Sequence, residues 1–406
     1  MKILAVASSF PHPNHRFAGV FTARIVGALG TLGHDVEVLC PRPYVPPTLG
    51  RSGRWRQYAD IPKLSKYEGA TIRRPCAAVI PGLFPAFWAG RGAWISLHRF
   101  VRSLNRTRRF DAVFAFDLAG AGGLAWRIAE DLRLPSAGWA FGDDVRVSLG
   151  TGHGRAVAQT INHLDLVFYQ SSELRTCAGS LVGRDLSMEP ECRRHVVLPH
   201  GIPLPGEVQP SQFVDMRAVW EVPSSHAVVL SVGRIVREKG VFDLLDAFAS
   251  IARRRDNVSL IVVGAMPPRD DSEELRRAVA AEGLEGRVRV VGAVAPEEVS
   301  TVLSAADLFV FTSGREGMPN VVLEAMAAGV PTVVFDIPPL READPEGVAL
   351  TFVPVHEKEL LAEAIDRLLG DRVDCARRAA AGVAIVHRRF TMRENVARAI
   401  ELLAER

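Results

Sequence analysis

The chain has 406 residues, 48% hydrophobic and 23% charged, which excludes a disordered or fibrous protein and predicts two domains of about 150–200 residues. Its five scattered cysteines lack CxxC spacing, which argues against a disulfide framework or structural zinc and favours a reducing, cytoplasmic location. The net charge of +3 is uneven: residues 1–200 carry 25 Lys and Arg against 15 Asp and Glu, and residues 201–406 carry 24 against 31. The basic first half suits either an anionic partner or a merely solvated surface.

Strands and helices are expected to alternate through the first half. A buried strand is predicted within residues 1–10, a helix over 18–33 and a strand at 36–39, which together form a unit typical of a parallel sheet. The alternation continues with a strand at 111–116, a helix at about 124–132 and a strand at 166–169.

Residues 199–210 contain four prolines and are predicted to form a stiff connection between domains. Beyond it we expect strands at 227–232, 258–263, 288–291, 308–311 and 332–335, and helices at 241–254, 272–282, 296–305, 320–328 and 357–369. Each half therefore reads as a doubly wound α/β domain, with a cleft between the two. Ligands of such sheets bind beyond the carboxyl ends of the strands.

The longest uncharged run, residues 75–90, is interrupted by prolines and is shorter than the roughly 20 apolar residues of a membrane span. Residues 83–109 interleave aromatic residues with arginines, as in a helix that lies on an anionic membrane surface. A helix that packs its aromatic side on the sheet and solvates its arginines would show the same pattern. Nucleic-acid binding is not expected, because no recognised module accompanies the charge.

Residues 231–240 join the end of a predicted strand to the start of a helix. Gly233 permits a tight turn, and Arg234 and Lys239 could together bind a diphosphate. The alternative is that both are surface cations that neutralise nearby carboxylates.

Residues 313–331 form a second candidate site. Pro319 suits the first turn of a helix, and the amides that this helix start would offer to an anion belong to Gly317, Met318, Asn320 and Val321. Glu316 lies just before these amides, and Glu324 lies in an otherwise apolar helix, where a carboxylate needs a partner. Sugar hydroxyls could supply that partner, and a salt bridge from Glu324 to a basic residue such as Arg341 is the alternative.

A different class of enzyme is suggested by residues 120–125, which read G-x-G-x-x-A after a strand, with Asp143 about 20 residues further on. This pattern would fit an NAD(P)-dependent oxidoreductase, but the motif does not open the first βαβ unit. We therefore expect these glycines to let a helix pack closely on the sheet. The histidines show no metal-ligand spacing, so no metal site is predicted.

Together the two candidate segments resemble the retaining glycosyltransferases of family 4. The matching residues are Gly233-Arg234, Glu238-Lys239-Gly240, Ala306-Asp307, Glu316-Gly317, Glu324-Ala-Met-Ala327 and Gly329-Val-Pro331. The resemblance covers about residues 196–370 and is looser in the first half. It implies the GT-B fold, an α/β architecture of two Rossmann-like domains facing across a cleft. Residues 1–200 would bind the acceptor and residues 201–390 the donor, and a final helix at about 390–406 would pack back on the first domain.

The resemblance also implies roles for individual residues. Arg234 and Lys239 would bind the donor diphosphate, Glu324 the ribose, and Glu316 the donor sugar as the catalytic candidate. The backbone of Gly19 and of residues 317–321, from Gly317 to Val321 with Pro319 among them, would contact the donor. No cofactor or metal would be required.

One departure from the family concerns residues 141–144, which read Phe-Gly-Asp-Asp. Phe141 stands where many members have a histidine that contacts the donor sugar. On the acceptor side the candidates are Asp144, which could instead cap the following helix, and His15 in the loop after the first strand.

Taken as a whole, the resemblance implies a hexosyltransferase that uses a UDP- or GDP-sugar and a glycan or lipid-linked acceptor in polysaccharide or glycolipid synthesis. A nucleotide-sugar-binding subunit without activity is the alternative within the fold.

Overall fold

In a computed structural model of the chain, the described residues are 1–45, 58, 60–77, 86–149, 153–206, 214–264 and 271–406, with only the backbone of 86–89. They divide into two compact units. The first unit comprises Met1–His200 and Met392–Arg406, and the second unit comprises Gly201–Thr391.

The first unit contains an eight-stranded sheet in the order β10-β9-β8-β7-β1-β2-β5-β4, with all neighbours parallel except β4 and β5. Two further short strands, β3 and β6, pair with each other. The strands are β1 (Lys2–Ala7), β2 (Asp35–Leu39), β3 (Arg42–Pro43), β4 (Leu64–Tyr67), β5 (Ala70–Arg73), β6 (Cys76–Ala77), β7 (Ala112–Phe116), β8 (Ser136–Ala140), β9 (Leu166–Tyr169) and β10 (His195–Val197).

Helices cover both faces of this sheet. They are α1 (Val20–Thr31), α2 (Ala86–Arg108), α3 (Ala121–Leu132), α4 (Asp143–Arg146), α5 (Gly154–His163), α6 (Ser172–Val182) and α15 (Met392–Ala404). On one face, the apolar sides of α1 and of the last helix, α15, enclose a core with β1 and β7. The chain thus returns to the first unit at its end, because the buried side of α15 completes that core.

The second unit is a six-stranded parallel sheet in the order β13-β12-β11-β14-β15-β16. Its strands are β11 (Ala227–Val232), β12 (Val258–Val263), β13 (Val288–Val291), β14 (Leu308–Phe311), β15 (Thr332–Phe335) and β16 (Leu350–Val353). Its helices are α7 (Met216–Val219), α8 (Val241–Ala252), α9 (Ser272–Ala281), α10 (Val299–Ser304), α11 (Asn320–Ala327), α12 (Pro338–Ala343), α13 (Lys358–Gly370) and α14 (Arg372–Arg389). The two faces of the sheet bury separate apolar clusters, as expected for parallel strands covered on both sides.

The glycines of 120–125 lie close to neighbouring helices as well as to the edge of the sheet, where a Cβ on Gly120 would lie 2.5 Å from the Ser8 hydroxyl oxygen, just after β1. A side chain on Gly122 would collide with Thr160 of α5, and one on Gly123 would lie 3.3 Å from Gly90 of α2. Their lack of a side chain therefore allows α3 to approach its neighbouring helices, a packing role that needs no dinucleotide.

Within 83–109, residues 83–85 and the side chains of 86–89 lie outside the described part. Helix α2 buries an apolar side in a core shared with the sheet, through Ala93, Leu97, Val101 and Leu104. The packing alternative thus holds only in part: the buried side is mainly aliphatic, Trp94 is partly buried against it, and Phe100 is 36% exposed. Among the described helices, none is both long and apolar enough to cross a membrane.

Candidate functional site

The two candidate segments of the second unit meet because their strands are neighbours. Strands β11 and β14 are adjacent and parallel, although β12 and β13 lie between them in sequence. The chain therefore leaves these two strands in opposite directions across the sheet, which opens a crevice at their carboxyl ends. The loops that begin this crevice are 233–240 and 312–319, the segments that sequence reasoning had selected.

The loop after β11 is held in shape by backbone geometry. Residues Arg237–Lys239 form a single 3₁₀ turn, and Gly240 then adopts φ 68°, a left-handed conformation that favours glycine. A side chain at Gly240 would overlap the carbonyl oxygen of Thr312, and its Cβ would lie 2.9 Å from the Thr312 Cβ. The Thr312 hydroxyl also donates a hydrogen bond of 3.0 Å to the Lys239 carbonyl oxygen. These contacts fix the loop against the end of β14.

This contact places Lys239 beside Glu316. The Lys239 ammonium forms an ion pair with the Glu316 carboxylate, and both side chains are about one-fifth exposed, at 21% and 19%. Arg234 is exposed, and within the described ranges its side chain forms no hydrogen bond or ion pair. The loop thus presents one paired and one free cation to solvent. The alternative for Arg234 and Lys239 was that they neutralise nearby carboxylates. Lys239 does pair with a carboxylate, but that carboxylate belongs to Glu316, another predicted site residue.

The loop after β14 ends at the start of α11. Pro319 is extended (φ −77°, ψ 105°) and precedes the first helical residue, Asn320, so the prediction that it lies in the first turn was off by one position. Its carbonyl oxygen accepts hydrogen bonds from residues 322 and 323. Among the described residues, no backbone hydrogen bond is donated by the amides of Gly317, Met318, Asn320 and Val321. Such amides at a helix N-terminus favour an anion.

Glu324 is half-buried and lies in the second turn of α11, eight residues after Glu316 in the preceding loop. The proposed structural partner, Arg341, is bound elsewhere: it donates two hydrogen bonds of 2.7 Å to Asp336 and lies over the Phe352 ring. Arg341, the example we gave of a basic partner for Glu324, is therefore engaged by Asp336 instead.

In the first unit, Gly19 and His15 lie in the loop between β1 and α1. Gly19 has φ 65°, and a Cβ there would lie 2.7 Å from the carbonyl carbon of Ser9, so the loop itself requires glycine. His15 is exposed and forms a backbone bridge with His12. Their suggested contacts with donor and acceptor stay predictions.

Asp144 shapes the loop after β8. Its carboxylate accepts backbone hydrogen bonds from Leu118 (2.9 Å), Phe141 (3.1 Å) and Gly142 (2.8 Å). Burial raises the pKa of Asp144, although these hydrogen bonds oppose the shift. These contacts give Asp144 a structural role in joining two loops, which differs from the helix cap that we considered, because that helix has no side-chain cap. The Phe141 ring packs edge-on against His200, with 5.5 Å between ring centroids.

Sequence reasoning did not select Asp117, which directly follows β7. Its φ of 99° is unusual for a residue other than glycine, and its carboxylate accepts hydrogen bonds from the Gly120 amide (2.8 Å), the Ala121 amide (3.0 Å) and Ser8. Burial, assisted by nearby Asp144, raises the pKa of Asp117 to about 6. The available signal was a lone carboxylate directly after a fully apolar strand, at the carboxyl edge of the sheet.

In the described part of the chain, no group of three or more His, Cys, Asp or Glu side chains is arranged to hold a metal ion. All five cysteines are free thiols.

Solved structures resemble the whole chain in fold. Sucrose-phosphate synthase from Thermosynechococcus elongatus is 20% identical with a TM-score of 0.75, and the likeness covers 100% of this chain and 99% of that one. The Anabaena protein HepE in complex with UDP and glucose is 20% identical with a TM-score of 0.74, over 100% of both chains. With one largely parallel and one fully parallel sheet, each covered by helices, this chain has the GT-B fold of glycosyltransferases.

Comparison of sequences adds two further similarities. Residues 213–383 match the model of "Glycosyl transferases group 1". The putative teichuronic acid biosynthesis glycosyltransferase TuaC of Bacillus subtilis is 29% identical over 379 residues, which are 90% of this chain and 89% of that relative. Over residues 213–383 the chain is thus similar to the group 1 glycosyltransferases, and together with the likeness to TuaC this supports a transferase enzyme. The oxidoreductase alternative has no support here.

Proposed function

We propose that this glycosyltransferase moves a hexose, with retention of configuration, from a UDP- or GDP-linked donor to a glycan or lipid-linked acceptor. The observation that carries the donor assignment is the Lys239–Glu316 ion pair at the crevice of the second unit. The Lys239 ammonium can bind a phosphate and the Glu316 carboxylate can accept hydrogen bonds from sugar hydroxyls, and the two groups are in direct contact. The HepE complex with UDP and glucose shares the fold and supports the choice of a nucleotide donor.

Donor binding would exchange the partners of this pair. A diphosphate brings more negative charge than one carboxylate, so it would take over the Lys239 ammonium and recruit the free guanidinium of Arg234. Glu316 would then be released to accept hydrogen bonds from the donor sugar, and Glu324 would accept those of the ribose. The unbonded amides at the start of α11 would add donors to the same anion.

The same groups would assist bond cleavage. As the sugar–oxygen bond breaks, negative charge grows on the departing diphosphate, and Lys239, Arg234 and the amides are already in place to stabilise it. Fixed cations and backbone dipoles provide this stabilisation without a metal, so we propose that none is required. The acceptor would attack the face from which the nucleotide departs, which retains the configuration at the sugar.

The first unit would bind the acceptor, and cell-surface polysaccharide or glycolipid synthesis is the proposed setting. The name of the Bacillus relative, in teichuronic acid biosynthesis, supports a polysaccharide product. We propose a cytoplasmic enzyme, peripheral on the inner face of the membrane, with no nucleic-acid partner. His15 and Asp144 stay acceptor-side proposals, Asp144 through the loop it shapes.

Helix α2 offers the surface for membrane contact. Its exposed side carries Arg91, Ile95, Arg99 and Arg106, which recur at helical spacing, and Ile95 is 62% exposed. Arginines beside an exposed apolar side chain suit anionic lipid headgroups. Co-sedimentation with phosphatidylglycerol vesicles should fall for Arg99→Glu/Arg106→Glu and stay unchanged for Arg398→Glu, an exposed site on α15. Equal binding by all three proteins would refute this surface.

The donor assignment is tested with a panel of nucleotides and nucleotide-sugars. Thermal stabilisation by UDP- or GDP-sugars, with slow release of nucleotide, is the expected result, since a ligand at about 100 times its Kd adds about 2.7 kcal/mol to the free energy of unfolding. Stabilisation without turnover on any acceptor would favour the inactive subunit, and stabilisation by NAD(P) alone would contradict the proposal.

A variant pair ties binding to the crevice. Lys239→Ala should weaken binding of the preferred nucleoside diphosphate about 10- to 100-fold, because a charged hydrogen bond contributes about 1.5–3 kcal/mol. Lys358→Ala is the control: Lys358 is also paired with a carboxylate, Asp246, but on α13. Similar affinity in both variants would place the diphosphate elsewhere.

A further inference from the structure

Arg74 of the first unit is a buried cation without an acidic partner among the described residues. It follows β5, which runs parallel to β2, so it lies at the carboxyl edge of the sheet. The residue is 2% exposed. Its two terminal nitrogens donate to the Ser65 hydroxyl (2.7 Å) and to the Pro11 carbonyl oxygen (2.9 Å), while its Nε has no hydrogen-bond partner in the described structure.

The neighbouring arginine shows how such a charge is normally neutralised. Arg73 forms an ion pair with the buried carboxylate of Glu37, which is also 2.7 Å from Arg108. Arg74 instead has the buried Cys40 thiol as its hydrogen-bonding neighbour, and burial raises the pKa of that thiol to about 11, so it carries no neutralising charge at pH 7. The sequence segments 46–57 and 78–85, which flank this region along the chain, contain no Asp or Glu at all. A buried guanidinium without a counter-charge is costly, so an anion is the expected complement.

A second polar group with an unused atom lies beside Arg74. His12 directly follows Pro11, whose carbonyl oxygen accepts from Arg74, and the buried His12 Nδ1 has no hydrogen-bond partner among the described residues. Burial and then the Arg74 charge lower the pKa of His12, so its ring is neutral at pH 7 and can donate one hydrogen bond without adding charge.

We infer that Arg74 and His12 bind an anionic group, a phosphate or a carboxylate, carried by the acceptor. The inference rests on the proposed role of the first unit as the acceptor-binding unit. The carboxyl edge of a parallel sheet is where such ligands bind, and a planar guanidinium matches the oxygens of both groups. The surplus of ten positive charges in residues 1–200 also favours binding of an anion to this unit. The anion takes the place of the Pro11 carbonyl as partner of one Arg74 nitrogen.

The test is calorimetric titration of the full chain with inorganic phosphate and with glucuronate, with UDP at saturation to occupy the donor site. Arg74→Met should weaken binding of the preferred anion at least about 10-fold, as expected for loss of a charged hydrogen bond. Arg73→Met removes a neighbouring cation that is already neutralised, so it should change the affinity for this anion less than about 2-fold. A response to phosphate alone identifies a phosphorylated acceptor, and a response to glucuronate alone identifies an acidic sugar.

Equal affinity in wild type and Arg74→Met, or no binding of either anion by wild type, would overturn the inference. If Arg74→Met fails to fold, a selenate soak of wild-type crystals decides: an anomalous peak within hydrogen-bond distance of the Arg74 guanidinium supports it, and peaks only beside Lys239 or Arg234 refute it. If UDP does not bind, the donor proposal fails independently, and the titrations are repeated in Lys239→Ala.

Discussion

Replacing Gly240 by alanine should damage both the stability of the second unit and its donor site. Gly240 has φ 68° and its missing side chain makes room for the Thr312 carbonyl, so the loop of Lys239 can rest on the end of β14. Alanine would have to overlap that backbone oxygen. Because a backbone oxygen cannot rotate away as a side chain can, either the Lys239 loop or the end of β14 must move.

The magnitude has two parts. A left-handed conformation costs an alanine about 1–2 kcal/mol relative to glycine, and relieving the overlap costs about 1–3 kcal/mol more. Gly283 distinguishes the cost of the left-handed conformation from the cost of the overlap. It lies in the same unit with φ 66°, but a Cβ there would have nothing within 4 Å. Gly283→Ala should therefore show the conformational cost alone.

The assay is urea denaturation of wild type and both variants, together with nucleoside diphosphate affinity. Gly240→Ala should lose about 2–5 kcal/mol of unfolding free energy and bind the nucleotide at least about 10-fold more weakly, since the Lys239 ammonium moves with its loop. Gly283→Ala should lose about 1–2 kcal/mol and bind normally. Equal losses in both variants, or normal nucleotide affinity in Gly240→Ala, would refute the reasoning about this contact.

Two further predictions concern buried carboxylates. The folded-state pKa of Asp117, about 6, lies above its ordinary value of 3.8, so its contribution to stability is fully present below about pH 4 and is lost as pH rises to about 6. In urea denaturation, the free energy of unfolding of Asp117→Asn should therefore equal that of wild type near pH 4 and exceed it by up to about 3 kcal/mol at pH 8. Equal free energies of unfolding at pH 8 would contradict the raised pKa of Asp117. Asp344 is 1% exposed and accepts hydrogen bonds from the amides of residues 348–350, so Asp344→Ala should lose at least about 3 kcal/mol of unfolding free energy. This turn leads into β16 and is not one of the crevice loops, so the folded variant should bind nucleotide normally. A loss of unfolding free energy below about 1 kcal/mol would show that water replaces the carboxylate.

Much of the second unit could be predicted from its sequence. The strands predicted at 227–232 and 258–263 coincide with the observed ones, because buried parallel strands are short, uninterrupted apolar runs. The helix predicted at 320–328 ends one residue earlier. Helix α14 (Arg372–Arg389) was not predicted, since its many arginines and alanines give only a narrow apolar side, with Gly382, Ile385 and Val386 buried.

The contacts of the site were less predictable than its residues. Lys239 and Glu316 were selected separately, and their ion pair follows from the adjacency of β11 and β14, which local sequence does not contain. The glycines of 120–125 were assigned to packing, but the choice of partner, helix or sheet, depends on tertiary structure. The raised pKa of Asp117 likewise results from burial that only the folded chain reveals.

We propose that the crevice of the second unit holds a diphosphate-sugar and that Glu316 acts on the sugar. The most direct measurement is transfer from the preferred nucleotide-sugar by wild type and Glu316→Gln, with the affinity for free nucleoside diphosphate measured in parallel. We expect kcat of Glu316→Gln to fall at least about 100-fold while the fold stays intact. Nucleotide affinity should be unchanged or improved, because Lys239 loses its competing carboxylate. Unchanged transfer by Glu316→Gln would contradict the assignment of this site.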